Sequence, residues 1–225
     1  MSIQEVCDDE AMTRVTVSGR TAEPGQLTPA IDAIRAGRVV AYPTDTFYGL
    51  AVDPRSPDAV ARLFALKGRA AENAVPVVAA NLDQVAEIAV LTPVARRLAE
   101  LHWPGPLTLV LPVRPGLAPA LIGERGTIAV RVPAHPLARA FAELAAHALT
   151  ATSANPSGQP PAAEPDEVAR MLPGLDLLLD GGATPGGAPS TIVDLSASAP
   201  RLIRAGAVPW ERVLESLGIS PTARP

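Results

Sequence analysis

Proline and glycine cut this chain into alternating segments, and that punctuation limits the folds open to it more than any other feature. A proline recurs just inside the start of apolar-periodic segments, as in Thr28-Pro29, Ser56-Pro57-Asp58 and Thr92-Pro93, with Gly37 and Gly68 closing the first two. Proline's fixed φ suits the first helical turn, whose N–H groups have no partner there, and glycine accepts the left-handed turn that ends a helix. The pattern predicts a helix from Thr28-Pro29 to Gly37 burying Ala30, Ile31 and Ile34, and a second from Ser56 to Gly68 burying Val60, Leu63, Phe64 and Leu66. Further helices are expected over 82–88, 92–102, 136–146, 165–171 and 208–217. β-Branched or apolar runs predict strands over 38–42, 75–79, 107–113, 127–132, 149–152, 175–179, 190–195 and 201–204. Alternation without a repeat or long linker reads as one α/β domain over residues 27–217, a mixed sheet with flanking helices. Residues 1–26 are expected to form an irregular arm or edge strand, and 218–225 a tail.

Composition removes several classes of function. The 225 residues are 48% hydrophobic, enough for a core, yet no apolar run approaches the roughly 18 residues of a membrane span. Asp8, Asp9 and Glu10 interrupt the start and no export signal is visible, so a cytoplasmic protein is expected. One cysteine, Cys7, permits neither an internal disulfide nor a thiolate metal cluster. Nineteen Lys and Arg against 23 Asp and Glu give a net charge of −4, which argues against coating nucleic acid by bulk charge. A nucleotide site must therefore be local. Eighteen of the basic residues are Arg and only Lys67 is Lys. A position that keeps a compact ammonium in an arginine-biased chain is a candidate for a task that a planar guanidinium cannot perform.

The P-loop, the dinucleotide G-x-G-x-x-G, the G-x-S-x-G elbow and the H-E-x-x-H pair are all missing, and His102, His135 and His147 are too far apart for a local metal motif. Polar clusters at predicted strand and helix ends remain: 43–50, Lys67 with Arg69, Thr127 with Arg131, Ser153-Ala154-Asn155, Ser190-Thr191 and Arg204. Ligands of open α/β sheets bind at strand ends, and four cations among hydroxyls suit an anion. Singly, each cluster has a plainer reading. Thr44 and Thr46 can shape a turn, Ser153 and Asn155 can bond their own loop, Arg131 can lie on the surface, and Lys67 with Arg69 can complement a helix dipole.

Together the clusters resemble the YrdC-like family of L-threonylcarbamoyladenylate synthases, over roughly residues 27–208. The carrying segments are P-T-D-T-x-Y-G-L from Pro43, K-x-R at Lys67 and Arg69, A-V-R-V-P from Ala129, T-S-A-N-P-S-G from Thr152, S-T-I-V-D from Ser190 and R-x-G from Arg204. The chain looks like the short, single-domain form. The resemblance implies a single YrdC-like domain whose twisted mixed sheet and flanking helices surround a concave, locally positive cavity. It implies synthesis of threonylcarbamoyl-AMP and pyrophosphate from ATP, L-threonine and bicarbonate, for threonylcarbamoyladenosine formation on tRNA.

Carried over by motif position, Thr46, Arg131, Ala151 (through its backbone) and Ser190 are expected to hold threonine. Arg69, Asn73, Thr127, Ser153 and Arg204 are expected to hold ATP, and Lys67 and Asn155 complete a catalytic set with Arg69 and Ser153. Mg²⁺ is expected with the triphosphate and no protein metal site is expected. A threonylcarbamoyl transferase complex downstream and contact with tRNA are the expected partners, with no membrane. The sequence departs from the family pattern at Ala70, at Val78 or Ala79 where some relatives place a threonine-contacting His, and at Pro161. Two other readings are an RNA-binding module, including double-stranded RNA binding, and carbamoyl-adenylate formation from carbamoyl phosphate.

Overall fold

The computed structural model describes residues 12–17, 23–68, 75–123 and 125–220. Among them are eleven strands and seven α-helices. The chain runs β1 (Thr13–Thr16), α1 (Pro24–Arg35), β2 (Val40–Tyr42), β3 (Gly49–Ala51), α2 (Pro57–Lys67), β4 (Val77–Val78), α3 (Leu82–Ile88), α4 (Pro93–His102) and β5 (Leu107–Pro112). It continues through β6 (Thr127–Arg131), α5 (Pro136–Ala145), β7 (Leu149–Thr150), β8 (Thr152–Ser153), α6 (Pro165–Met171), β9 (Leu177–Asp180), β10 (Thr191–Asp194), β11 (Arg201–Arg204) and α7 (Trp210–Ser216).

The predicted caps are present where a short side chain meets the first turn. Ser56 and Thr92 each accept a backbone N–H from the residue three positions on, opening α2 and α4, and Asn81, which the sequence reading did not mark, caps α3 in the same way. Gly68 ends α2 with φ +58°, a left-handed conformation that a side chain would strain. The first helix departs from expectation. It begins at Pro24, and Pro29, expected at its start, lies inside it. Gln26 Oε1 accepts the Glu23 N–H at 3.0 Å, so the cap forms upstream of the Thr28-Pro29 signal.

The α/β class stands, but the strands form two mixed sheets rather than one. The five-stranded sheet has the order β1-β9-β2-β3-β8 and the six-stranded sheet β11-β10-β5-β6-β4-β7. Alternation along the strands gives each sheet a buried face. Leu107, Leu109 and Leu111 of β5 pack with α2, α4 and Val193 in the larger core. Val40 and Tyr42 pack with α1 and α5 in a second core, where Tyr42 meets Phe141 edge to face at 5.6 Å. No helix among the described residues is long and apolar enough to cross a membrane.

Asp194 ties down the far end of β10. Its carboxylate accepts the Ser196 N–H and hydroxyl and meets Arg125 and Arg201, each at 3.1 Å. Burial alone would raise this carboxyl; the Ser196 bonds and the two guanidinium groups outweigh it and hold the group below its ordinary value. Its stabilisation is therefore complete above the unfolded value near ~4 and is lost as pH falls toward the lower folded one. Asp194→Asn should flatten the acid limb of melting temperature against pH below about pH 4, a change read directly by thermal melts.

Candidate active site

The chain passes from one sheet to the other at a single residue. The strand expected over 149–152 divides into β7, which pairs with β4, and β8, which pairs with β3 in the other sheet. Ala151 stands between them and donates its N–H to Pro76 O at 2.8 Å. Thr150 stitches the crossing, since its hydroxyl donates to Leu50 O and accepts the Val52 N–H. A cavity of about 450 Å³ opens at this seam.

Register brings residues from five strands of the six-stranded sheet to that cavity. Arg204 lies opposite Ile192, Ile192 opposite Thr108, and Arg131 opposite Val78. Because Leu109 pairs with Val130, Thr108 falls opposite Arg131 one step further along. Side chains on one cross-strand row share a face, so this row sets two guanidinium groups on either side of a threonine. All five of these residues line the cavity. Arg204 has its guanidinium value lowered by burial and then by the charge of Arg131, which marks the two as neighbours across one space.

From the five-stranded sheet come the turn before β3 and strand β8, including Thr46, Tyr48 and Ser153. Thr44 accepts the Thr46 N–H and donates to Phe47 O at 2.7 Å, so the turn-forming reading of this hydroxyl holds while the same turn faces the cavity.

Thr46, Arg131, Ala151, Ser153, Ser190 and Arg204 all line the cavity as anticipated. Arg131 is 7% exposed and in ionic contact with Asp45 at 3.1 Å, so it is no surface arginine. Thr127 shares β6 with Arg131 but sits toward its other end and is not among the lining residues. Arg69 and Asn73 lie outside the described residues.

Lys67 and Asn155 stand behind the cavity. The Lys67 ammonium, 3% exposed, donates to the backbone carbonyls of Ser153 and of Asn155, the latter at 2.7 Å. The Asn155 amide donates to Pro156 O and Gln159 O at 2.8 and 2.6 Å, bonding its own loop. Of the cations expected to share one hollow, Arg131 and Arg204 line it and Lys67 does not, while Arg69 lies outside the described residues. A buried ammonium requires acceptors, and the Ser153–Asn155 backbone supplies them. Lys67 shapes the wall, and Arg131 and Arg204 face the space.

Sequence reading missed Asp45 as the ion-pair partner of Arg131 and Thr108 as a cavity residue. Thr108 had a signal: it is the polar residue at an alternating position in the apolar run Leu107 to Leu111. Val78, where some relatives were expected to carry a polar contact, presents an apolar side chain to the cavity.

The closing R-x-G has a packing reason. Arg204 donates from Nε and Nη2 to Ser190 O at 3.1 and 2.9 Å. A Cβ on Gly206 would lie 2.2 Å from Pro189 O and 2.6 Å from Thr191 N, so only glycine lets this backbone close up. Gly206→Ala should displace Ser190 and cost about 1–3 kcal/mol by overpacking, read by thermal melts.

The two sheets of this α/β domain meet at a cavity rimmed by guanidinium and hydroxyl groups, a lining whose charge and donors suit an anion. A family model described as telomere recombination, of the Sua5, YciO and YrdC type, matches residues 32–206, and the chain belongs to that family. It is 38% identical over 198 residues to the threonylcarbamoyl-AMP synthase of Pyrococcus abyssi, covering 87% of this chain and 58% of the relative. It is 44% identical over 161 residues to the same-named protein of Idiomarina loihiensis, covering 68% of this chain and 86% of the relative. The crystal structure of P. abyssi Sua5 complexed with L-threonine superposes with a TM-score of 0.85 at 37% identity, over 93% of this chain and 62% of that one. The chain thus spans about three fifths of the P. abyssi relative's length.

Proposed function

We propose that this chain is an L-threonylcarbamoyladenylate synthase, acting on ATP, L-threonine and bicarbonate. The observation that carries the reading is the row Arg204–Ile192–Thr108–Arg131 facing the seam cavity, with Ser190, Thr46 and Ser153 around it. The relatives' shared name and the threonine in P. abyssi Sua5 support the same substrates.

Threonine's amine forms an N–C bond to bicarbonate carbon with loss of water, leaving a carbamate. A carbamate oxygen then bonds to the α-phosphorus of ATP as the bond to the bridging oxygen breaks and pyrophosphate departs. Both partners are anions, so their repulsion is the obstacle. Arg131 takes the threonine carboxylate, with Thr46, Ser190 and the Ala151 backbone fixing the amino acid. Arg204 and Ser153, with Arg69 and Asn73, take ATP, and Thr127, outside the cavity lining, is left without a part in holding it. Fixed donors where charge develops contribute ~2.7–4 kcal/mol each, so positioning and electrostatics suffice without a protein nucleophile. Lys67 and Asn155 act by holding the Ser153 backbone.

No group of three carboxylate, His or Cys side chains suited to a metal occurs among the described residues. Mg²⁺ fits this site as a companion of the triphosphate, held by phosphate and water. The product would serve a downstream threonylcarbamoyl transferase acting on tRNA in the cytoplasm.

Mass spectrometry of the product from ATP, threonine and labelled bicarbonate tests the reading. Threonylcarbamoyl-AMP carrying the label is expected; pyrophosphate release indifferent to threonine would overturn it.

A further inference from the structure

Thr108 is 2% exposed at the centre of β5, and its hydroxyl stands 2.8 Å from the Ser190 hydroxyl. Ser190 also receives a hydrogen bond at its Oγ from Arg204 Nη2 at 3.1 Å. A hydroxyl has one proton and two lone pairs, and a guanidinium only donates. Arg204 therefore occupies one lone pair of Ser190, and the proton between Ser190 and Thr108 can run either way. If Ser190 donates to Thr108, it has only a lone pair left for the cavity, which repels an anionic oxygen. If Thr108 donates to Ser190, the serine accepts twice and its own proton is released toward the cavity.

We propose that Thr108 is a positioning residue that turns the Ser190 proton toward the cavity, making Ser190 a donor to an oxygen of the bound amino acid. The inference rests on the threonine site proposed above and adds the group that sets its polarity. The neighbouring charges agree with it: Arg131 and Arg204 flank Thr108 in the same row, so an oxygen acceptor arriving there is favoured and selects the second arrangement.

Thr108→Val removes the hydroxyl and keeps the branched shape, whereas Thr108→Ser keeps the hydroxyl. Threonine KM should rise about 10-fold in Thr108→Val, the loss of roughly one hydrogen bond, with ATP KM little changed and Thr108→Ser near wild type. On a Ser190→Ala background Thr108→Val should add almost nothing, because the threonine acts through the serine. Should valine disturb the strand, Thr108→Ala carries the same expectation. Equal rises in both KM values, an unchanged threonine KM, or full additivity with Ser190→Ala would overturn the proposal. Wild-type protein that releases no threonine-dependent pyrophosphate would instead overturn the underlying activity, so the two failures are separable.

Discussion

Arg131→Ala should reduce threonine-dependent pyrophosphate release at least ~100-fold, the scale expected when a principal charge-stabilising donor is lost. The same change should unfold the protein more easily. Arg131 and Asp45 are both largely buried and in ionic contact at 3.1 Å, and removing one partner leaves the other charge without compensation, at about 3–5 kcal/mol. Stability and activity are separable by the double variant Asp45→Asn, Arg131→Ala. It no longer buries a lone carboxylate, so much of the melting temperature should return while turnover stays low. The contact with Asp45 is off hydrogen-bonding geometry, and Arg131 Nη1 has no hydrogen-bond acceptor among the described residues. A donor therefore remains for a substrate carboxylate. Activity restored in the double variant would remove Arg131 from the binding site.

Lys67→Arg should lower turnover at least ~10-fold although charge is conserved. An ammonium directs its protons to carbonyls in different directions from one point, and here it bridges Ser153 O and Asn155 O in a closed space. The larger planar guanidinium must push that loop aside, and Ser153 lines the cavity. The effect should fall mainly on kcat with circular dichroism unchanged. Lys67→Met provides the contrast, because it leaves the Asn155 carbonyl without its ammonium donor while Ser153 O keeps the Asn155 N–H, and should cost about 1–3 kcal/mol. Near-normal turnover in Lys67→Arg would show that the loop tolerates either cation.

Local physics was legible in the sequence and long-range pairing was not. Ser56, Thr92 and Gly68 mark helix ends because their bonds close within a few residues, and each appears where read. Pro29 misled, because a competing cap at Glu23 and Gln26 started the helix earlier. Division into two sheets depends on which strand edges meet, which alternation within a strand does not encode. The same limit hid the Thr108 contact, made across 82 positions of chain. Lys67 stood out by rarity, yet its carbonyl partners lie 86 and 88 positions away, so its role as a loop brace was invisible. Arg131, Ser190 and Arg204 were found through motifs that happen to bracket the cavity.

The passage of the chain between sheets at Ala151 means that the binding site belongs to neither layer alone. Whatever occupies the hollow also clamps the layers together, so substrate should act as mortar. The melting temperature should climb with threonine and nucleotide concentration, by the increment that saturation of a native-only ligand supplies. Halves of the polypeptide split near residue 151 should regain affinity only when reassembled.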